Sequence, residues 1–182
     1  MSEGSNKKNY KDSFIKILDE VKDTYFSSEE ILSIISFIEG YNSLNDFFRI
    51  SFSVDGYKGS EFIDHIHDLR DKVSIFICLN NDIRVPHELL KDLIQEIGKE
   101  SRSAWGVPEY LFLLTERLLK ETGEKYIETF GEMLFSNMDT YGACNSMDFT
   151  NIDVKGILSD LKSKNQKSKL VLDLIDYFEA NL

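Results

Sequence analysis

The sequence "PEYLFLLTERLLKETG", residues 108–123, contains start and stop signals for an α-helix around a leucine-rich run. Pro108 occupies a first-turn position, where the missing backbone N–H costs nothing, and Gly123 is a typical helix terminator. The stretch "PHELLKDLIQEIG", residues 86–98, likewise begins with proline and ends with glycine. Two helices delimited in this way predict a chain that is built mainly from helices.

Apolar residues recur at helical spacing on both sides of these two stretches. Within residues 14–25 they follow the i, i+3, i+4, i+7 pattern of an amphipathic helix (Phe14, Ile17, Leu18, Val21 and Tyr25). Ser27, followed three residues later by Glu30, is a capping-box signature for the next helix. From Ser60 onward apolar residues alternate four and three positions apart, which predicts a helix of about twenty residues (Phe62, Ile66, Leu69, Val73 and Phe76).

These patterns together predict an all-α fold of roughly eight helices in a single globular domain over residues 10–182. Residues 1–9 are polar, and we expect them to form a flexible N-terminal tail. Alternating apolar residues allow at most a minor strand near residues 50–54. The segment "DTYGACNSMDFTN", residues 139–151, is the longest without a helical period, which predicts a loop.

The chain of 182 residues contains 32 acidic and 21 basic residues and has a net charge of −11. Negative charge disfavours nucleic acid and anionic membranes as partners, because both attract Lys and Arg. It is compatible with a basic protein partner, and equally with the charge that ordinary solubility requires. No apolar run approaches the roughly 18 residues of a membrane span, and the N-terminal residues lack the apolar core of a secretory signal.

Two cysteines, Cys78 and Cys144, are separated by 66 positions, and neither belongs to a CxxC motif. Cys78 lies inside an apolar run, which predicts that it is a small buried hydrophobic residue. A disulfide remains an alternative, but this usage favours a reduced, cytoplasmic protein.

The sequence "EFIDHIHDLR", residues 61–70, places two histidines among aspartates, a composition found in metal and acid–base sites. On the predicted helix, His65 and His67 lie about 200° apart around the axis, so they cannot bind one metal ion. Three aspartates would share the side opposite the apolar stripe, which predicts a solvated side (Asp64, Asp68 and Asp71). We therefore predict a helix surface at this position and no metal site.

Familiar catalytic arrangements do not occur locally in the sequence. Only three histidines are present, and the chain has no Gly-x-Ser-x-Gly, no P-loop and no His-Glu-x-x-His. We interpret the protein as non-enzymatic and expect no cofactor. A pair of carboxylates that folding brings together remains an alternative acid–base site.

Negative charge is concentrated between residues 105 and 154, where nine acidic residues stand against three basic ones. Four of these acids are spaced three, four and four residues apart (Glu121, Glu124, Glu128 and Glu132). One helix would align all four, whereas a break at Gly123 would leave only the last three aligned. Like charges at this spacing cost a few tenths of a kcal/mol per pair, so the stripe predicts a basic partner. A plain solvated helix face is the alternative.

The negative stripe leads into the predicted loop at residues 139–151, which adds aromatic residues among further acids. Acidic and aromatic side chains on one surface are typical of an interface with a basic protein. We therefore predict a partner-binding surface formed by eight residues: Glu121, Glu124, Glu128, Glu132, Asp139, Tyr141, Asp148 and Phe149.

Composition indicates an A/T-rich gene, because lysine outnumbers arginine 16 to 5 and only three alanines occur. In size, acidity and this composition the chain resembles the immunity proteins that bacteria make against their own nuclease toxins. The resemblance rests on general character, with no motif behind it, and it assigns no residues. It implies a non-enzymatic antitoxin that neutralises a basic toxin by direct binding.

Two other functional classes remain open at the level of sequence. One is a small helical enzyme or ligand-binding domain with a site between helices, around Trp105 or the helix of His65. A polar pocket with convergent histidine and carboxylate groups would favour that class. The other is a helical regulatory or scaffold domain, which differs from an immunity protein only in the identity of its partner.

Overall fold

Helices account for most of the chain, as the apolar spacing predicts, and the all-α fold class is confirmed. The computed structural model describes residues 3–104 and 106–182. Over these residues the chain forms ten α-helices: α1 (Glu3–Tyr25), α2 (Ser28–Gly40), α3 (Ser43–Asp46), α4 (His67–Leu79), α5 (His87–Glu100), α6 (Leu111–Thr122), α7 (Ile127–Leu134), α8 (Met138–Cys144), α9 (Val154–Ser163) and α10 (Lys169–Ala180). Two 3₁₀ turns, Phe47–Arg49 and Phe149–Asn151, and a two-stranded hairpin complete the described fold.

Helix α5 lies at the centre of the core, packed against both α6 and α7. Its apolar face is fully buried (Leu89, Leu90, Leu93 and Ile94). A Cβ atom on Gly98 would come within 2.9 Å of Met133 Cγ, so α5 and α7 approach closely at this point. The Tyr126 hydroxyl donates to Glu88 Oε1 at 3.0 Å near the other end of both helices. The two helices therefore run parallel, and their C-terminal ends lie side by side.

The prediction of a helix from Ser60 is wrong for its first seven residues, about two turns. Strand β1 (Gly56–Lys58) pairs with β2 (Glu61–Ile63) in an antiparallel hairpin, and α4 begins only at His67. Gly59, with φ of 68°, and Ser60 form the two-residue connection, a loop in which glycine is favoured because it adopts positive φ easily. The minor strand was predicted at residues 50–54, which form no strand here. The spacing of Phe62 and Ile66 imitates a helix, although the two residues belong to different elements.

Helix α1 buries only part of the apolar stripe that predicts it. Phe14 is buried, whereas the side chains of Ile17 and Val21 are half exposed. The helix begins at Glu3, within the segment predicted to be a flexible tail, and Met1 and Ser2 lie outside the described residues. Lys7 Nζ donates to Asn181 Oδ1 at 3.2 Å, which ties this part of α1 to the C-terminal helix.

The segment predicted to be a loop at residues 139–151 is largely helical. It contains most of α8 and the 3₁₀ turn Phe149–Asn151. The side chain of Asn137 accepts a hydrogen bond from the Thr140 backbone, and the Thr140 hydroxyl accepts one from the Asn137 backbone, which caps α8. Only Thr140 and Cys144 are buried on this helix. An apolar period cannot reveal a helix that buries a threonine and a cysteine.

Both cysteines are buried and unpaired, as predicted for Cys78. Burial raises the pKa of the Cys144 thiol to about 12, so this group is protonated at neutral pH and is a poor nucleophile. Among the described residues, no helix combines the length and the apolar character that crossing a membrane requires.

Candidate functional site

The predicted acidic stripe is divided between two helices and a turn. Glu121 lies in the last turn of α6, Gly123 ends that helix with φ of 57°, and Glu124 lies in the turn before α7. Glu128 and Glu132 lie on α7 and are exposed. The break that was anticipated at Gly123 is therefore present, but it leaves two aligned glutamates where three were expected.

Two of these glutamates already have basic partners within the chain. Glu121 Oε1 accepts from Arg117 Nε at 2.7 Å, and its other oxygen lies 3.5 Å from His87 Nε2. Glu128 Oε1 lies 2.5 Å from Lys164 Nζ, which belongs to the segment that connects α9 and α10. These ion pairs neutralise part of the negative charge that was expected to attract a partner.

The remaining exposed members of the predicted set are Glu132 on α7 and Asp139 and Tyr141 on α8. Glu132 and Asp139 are exposed and make no ion pair with any residue in 3–104 or 106–182. Met138 is 82% exposed, and Tyr141 is 37% exposed with its ring stacked on Phe135 at a centroid distance of 6.2 Å. Met138 and Tyr141 are three residues apart and lie on the same side of α8. We call Met138, Asp139 and Tyr141 of α8, together with Glu132 of the adjacent helix α7, the α8 surface.

Asp148 and Phe149 contribute little to that surface, because both pack inside the fold. Asp148 is buried, and its carboxylate accepts hydrogen bonds from the backbone and the hydroxyl of Thr150. Burial alone would raise the pKa of Asp148, but these hydrogen bonds, together with nearby Lys11 and Lys8, lower it below its usual range. Phe149 is half-buried against Tyr177 and Phe178.

A second row of carboxylates, which sequence reasoning missed, lies buried along α5. Asp92, Glu96 and Glu100 are spaced four residues apart on one face of that helix, and each is at most 7% exposed. We call these three residues the buried row, and Glu124, Glu128 and Glu132 the exposed row. The two rows have the same spacing in the sequence, so spacing could not distinguish them.

Asp92 and Glu96 bind groups from the irregular segment between α2 and α4, and Glu100 binds the first turn of α4. Asp92 Oδ2 accepts from the hydroxyls of Tyr41 and Ser43, both at 2.7 Å. Glu96 Oε2 accepts from the Phe52 backbone N–H at 2.9 Å. Glu100 binds Arg70 and His67. The buried row therefore fixes a segment that has little regular secondary structure of its own.

Arg70 is the centre of the most strongly buried charge cluster in the described structure. Its guanidinium is 1% exposed and lies 2.5 Å from Glu100 Oε2 and 2.7 Å from Asp64 Oδ2. It also donates to the carbonyl of Ile50 at 3.3 Å. Burial alone would lower the pKa of Arg70, but its hydrogen bonds to Asp64 and Glu100 raise it, so the group stays charged. The prediction that Asp64 is solvated is wrong, because its carboxylate is 1% exposed.

The two histidines of "EFIDHIHDLR" were predicted to lie on one helix, but only His67 does. His65 is exposed and precedes α4, where its backbone N–H donates to Asp55 at 3.0 Å. His67 is the first residue of α4, and its Nδ1 lies 2.8 Å from Glu100 Oε1. Of the three aspartates expected on the solvated side, only Asp68 is fully exposed, since Asp71 accepts from the hydroxyls of Tyr25 and Tyr110.

An open cavity of about 610 Å³ lies between the hairpin and the C-terminal end of α5. It is lined by Lys58, Ser60, Glu61, Phe62, Ile63, Asp64, His67, Glu100, Ser103 and Ala104. Histidine and carboxylate groups therefore converge on a cavity at the helix of His67, close to where the alternative ligand site was expected. Trp105, the other expected centre of such a site, lies outside the described residues.

The α8 surface lies next to this end of α5. Asn137, the capping residue of α8, donates from Nδ2 to the carbonyl of Ser101 at 2.9 Å. Ser101 immediately follows α5, and Ser103 and Ala104 of the cavity wall follow it in the chain. The cavity and the α8 surface thus occupy neighbouring positions at one end of the helix bundle.

Comparison with known proteins assigns no function to this arrangement. Neither a family model, nor a curated protein, nor a solved structure matches the chain. Among residues 3–104 and 106–182, no group of three or more His, Cys, Asp and Glu side chains is placed to hold a metal ion. Function must therefore be argued from the two surfaces themselves.

Proposed function

We propose that the protein is a non-enzymatic binding protein that covers a basic protein partner with the α8 surface. The observation that carries this proposal is the exposure of Met138 and Tyr141 on the same short helix as Asp139, with Glu132 exposed on the adjacent helix α7. Exposed apolar side chains bordered by carboxylates without ion-pair partners are suited to a partner that offers both a hydrophobic contact and positive charge. The side chain of Met138, 82% exposed, would supply the apolar contact of such an interface.

An immunity or antitoxin protein, acting in the cytoplasm on a basic nuclease-type toxin, is the form of this function that we propose. The net charge of −11 supports it, because the field of the whole chain would speed the approach of a basic toxin. The buried, unpaired thiols are compatible with a reducing compartment. Three further glutamates would contribute at the edge of this interface. Glu121 and Glu128 already have ion-pair partners, and Glu124 precedes α7, whereas Met138 follows that helix.

The decisive experiment is to capture the partner with the tagged full-length protein and to measure the affinity of the isolated pair. The double variant Glu132→Lys/Asp139→Lys should weaken binding at least tenfold. Raising the salt from 0.05 to 0.5 M should weaken the wild-type complex, because screening removes exposed charge attraction. A Glu20→Lys/Asp23→Lys variant on α1 changes the total charge equally and should keep most of the affinity. Equal affinities for both double variants would reject the α8 surface.

A small helical enzyme or ligand-binding domain is the second candidate, and a specific observation favours it. His67, Asp64 and Glu100 converge on an open cavity, as a site assembled between elements requires. However, the buried Arg70 neutralises part of the charge of Asp64 and Glu100. The cavity is therefore better suited to contacting the basic protein partner, as argued in the next subsection.

A further inference from the structure

The imidazole of His67 is held at a fixed orientation at the edge of the cavity. Its Nδ1 is engaged by Glu100 at 2.8 Å, and Glu100 is in turn bound by the buried Arg70. A carboxylate partner on one ring nitrogen fixes the position of the other. The side chain of His67 is 51% exposed, so its Nε2 edge is one polar group that the cavity can offer to a ligand.

The cavity has an apolar wall beside this polar edge. Phe62, Ile63 and Ala104 provide the wall, and the Phe62 ring is itself braced edge-to-face by Phe52 at a centroid distance of 5.5 Å. A site of this kind suits a side chain with an aliphatic stem and a polar end, because the stem packs on the wall and the end reaches the imidazole. A volume of about 610 Å³ also accommodates the backbone that flanks such a side chain.

The charges around the cavity select the sign of that polar end. Around the cavity the two cations Lys58 and Arg70 face the three carboxylates Glu61, Asp64 and Glu100, so these five side chains carry a net charge of −1. Lys58 and Glu61 are directly opposite each other in the hairpin, and Arg70 binds both buried carboxylates. One additional positive charge would make these side chains neutral as a group, and Nε2 can accept a hydrogen bond from it when Nδ1 donates to Glu100.

We propose that this cavity receives a lysine or arginine side chain of the basic partner. The inference rests on the proposed function, because the cavity adjoins the α8 surface through the hydrogen bond from Asn137 to Ser101. The aliphatic stem packs on Phe62, Ile63 and Ala104. The cationic end binds His67 Nε2 and Glu61 at the open edge. Met138 and Tyr141 then contact the partner beside this anchored side chain.

The cavity can be tested without the partner by NMR titration of the full chain with model side chains. N-acetyl-L-lysine methylamide should shift the imidazole ¹⁵N resonances of His67 and the amides of Ser103 and Ala104, with saturation in the millimolar range. N-acetyl-L-norleucine methylamide has a similar stem without the charge and should bind at least tenfold more weakly. The Glu61→Gln variant should weaken the lysine probe severalfold, whereas Glu20→Gln on α1 should leave it unchanged.

Three results would overturn the cavity proposal: no saturable shift at these residues, equal affinity for the norleucine probe, or tighter binding of N-acetyl-L-glutamate methylamide. The last would mean that Lys58 and a charged imidazole make the cavity a site for anions. Failure here, with partner binding still sensitive to Glu132 and Asp139, would reject the cavity alone. If instead the lysine probe binds as expected but partner binding is insensitive to Glu132 and Asp139, the α8 surface is rejected and the cavity remains a cation site.

Discussion

The buried row on α5 and the exposed row around α7 both consist of carboxylates spaced four residues apart, but they have different roles in the molecule. Each carboxylate of the buried row binds a hydroxyl, amide or cationic group that lies between residues 41 and 70. In the exposed row, only Glu128 has an ion-pair partner in the described structure. Charge removed from water must be paired, and so it organises the fold. Charge left in water stabilises the fold little and remains available to a partner.

The largest effect should come from Arg70→Met, which leaves Asp64 and Glu100 buried without their cation. Removing one partner of a buried charge cluster costs about 3–5 kcal/mol. Urea unfolding followed by circular dichroism measures the loss. Lys164→Met is the matched control, because it removes the exposed cation that pairs with Glu128 and should cost at most about 1 kcal/mol. If the two variants were equally stable, the distinction between the two rows would fail.

A smaller loss should follow from Asp92→Ala in the buried row. The hydroxyls of Tyr41 and Ser43 would lose their common acceptor. The buried Tyr41 hydroxyl without a partner costs about 1–3 kcal/mol, whereas Ser43 is half-buried and its hydroxyl can turn to water. Thermal unfolding should show the decrease, and Asp139→Ala on α8 should show almost none. A Tyr41→Phe/Ser43→Ala background should reduce the cost of Asp92→Ala, because the donors are then absent. An undiminished cost would mean that Asp92 acts through other contacts.

Asp148 provides a test that depends on pH. Its pKa is lowered in the folded state, so its stabilising contribution is present above the unfolded pKa, about 4. That contribution is lost as the pH falls through the lower, folded value. Asp148→Asn should therefore reduce stability by about 1 kcal/mol at pH 7, and the difference from wild type should shrink as the pH falls below 4. A difference that is constant from pH 7 to pH 2 would contradict this assignment.

The smallest effect on stability is expected for the α8 surface. Glu132→Lys and Asp139→Lys should each change the free energy of unfolding by less than about 0.5 kcal/mol, because both side chains are exposed and make no described ion pair. Differential scanning fluorimetry measures this directly. A destabilisation above about 1 kcal/mol would show that these residues support the fold, and a loss of partner binding could not then be attributed to an interface.

Local signals account for the parts of the fold that were predicted well. The capping box of Ser27 and Glu30 is confirmed, with the Ser27 hydroxyl accepting from Glu30 N at 3.3 Å and Glu30 accepting from Ser27 N at 2.8 Å. The same glutamate binds Lys72 of α4, and hydrogen bonds from Lys72 and Ser27 lower its pKa to about 2. The capping box itself depends on residues three apart, which is why the sequence was sufficient to find it.

The hairpin and α8 were missed for different physical reasons. Phe62 and Ile66 imitate a helical repeat, and only the pairing of Glu61 with Lys58 across Gly59 and Ser60 makes the first of them part of a strand. Helix α8 depends on the Asn137 cap and on packing of Thr140 and Cys144, neither of which creates an apolar period. Gly59 and Ser60 form the hairpin connection, and a Gly-Ser pair of this kind is a hairpin signal that lies within the sequence itself.

The sequence by itself determined that this chain is helical, acidic and able to bury an extensive apolar core, because these properties follow from composition and from the period of apolar residues. Only the tertiary structure decided which carboxylates are buried and which face water. Residues up to 51 positions apart meet on α5, as Tyr41 and Asp92 do. Carboxylates spaced four residues apart along the sequence carry no information about such partners. The role of each row therefore depends on how distant segments pack against it.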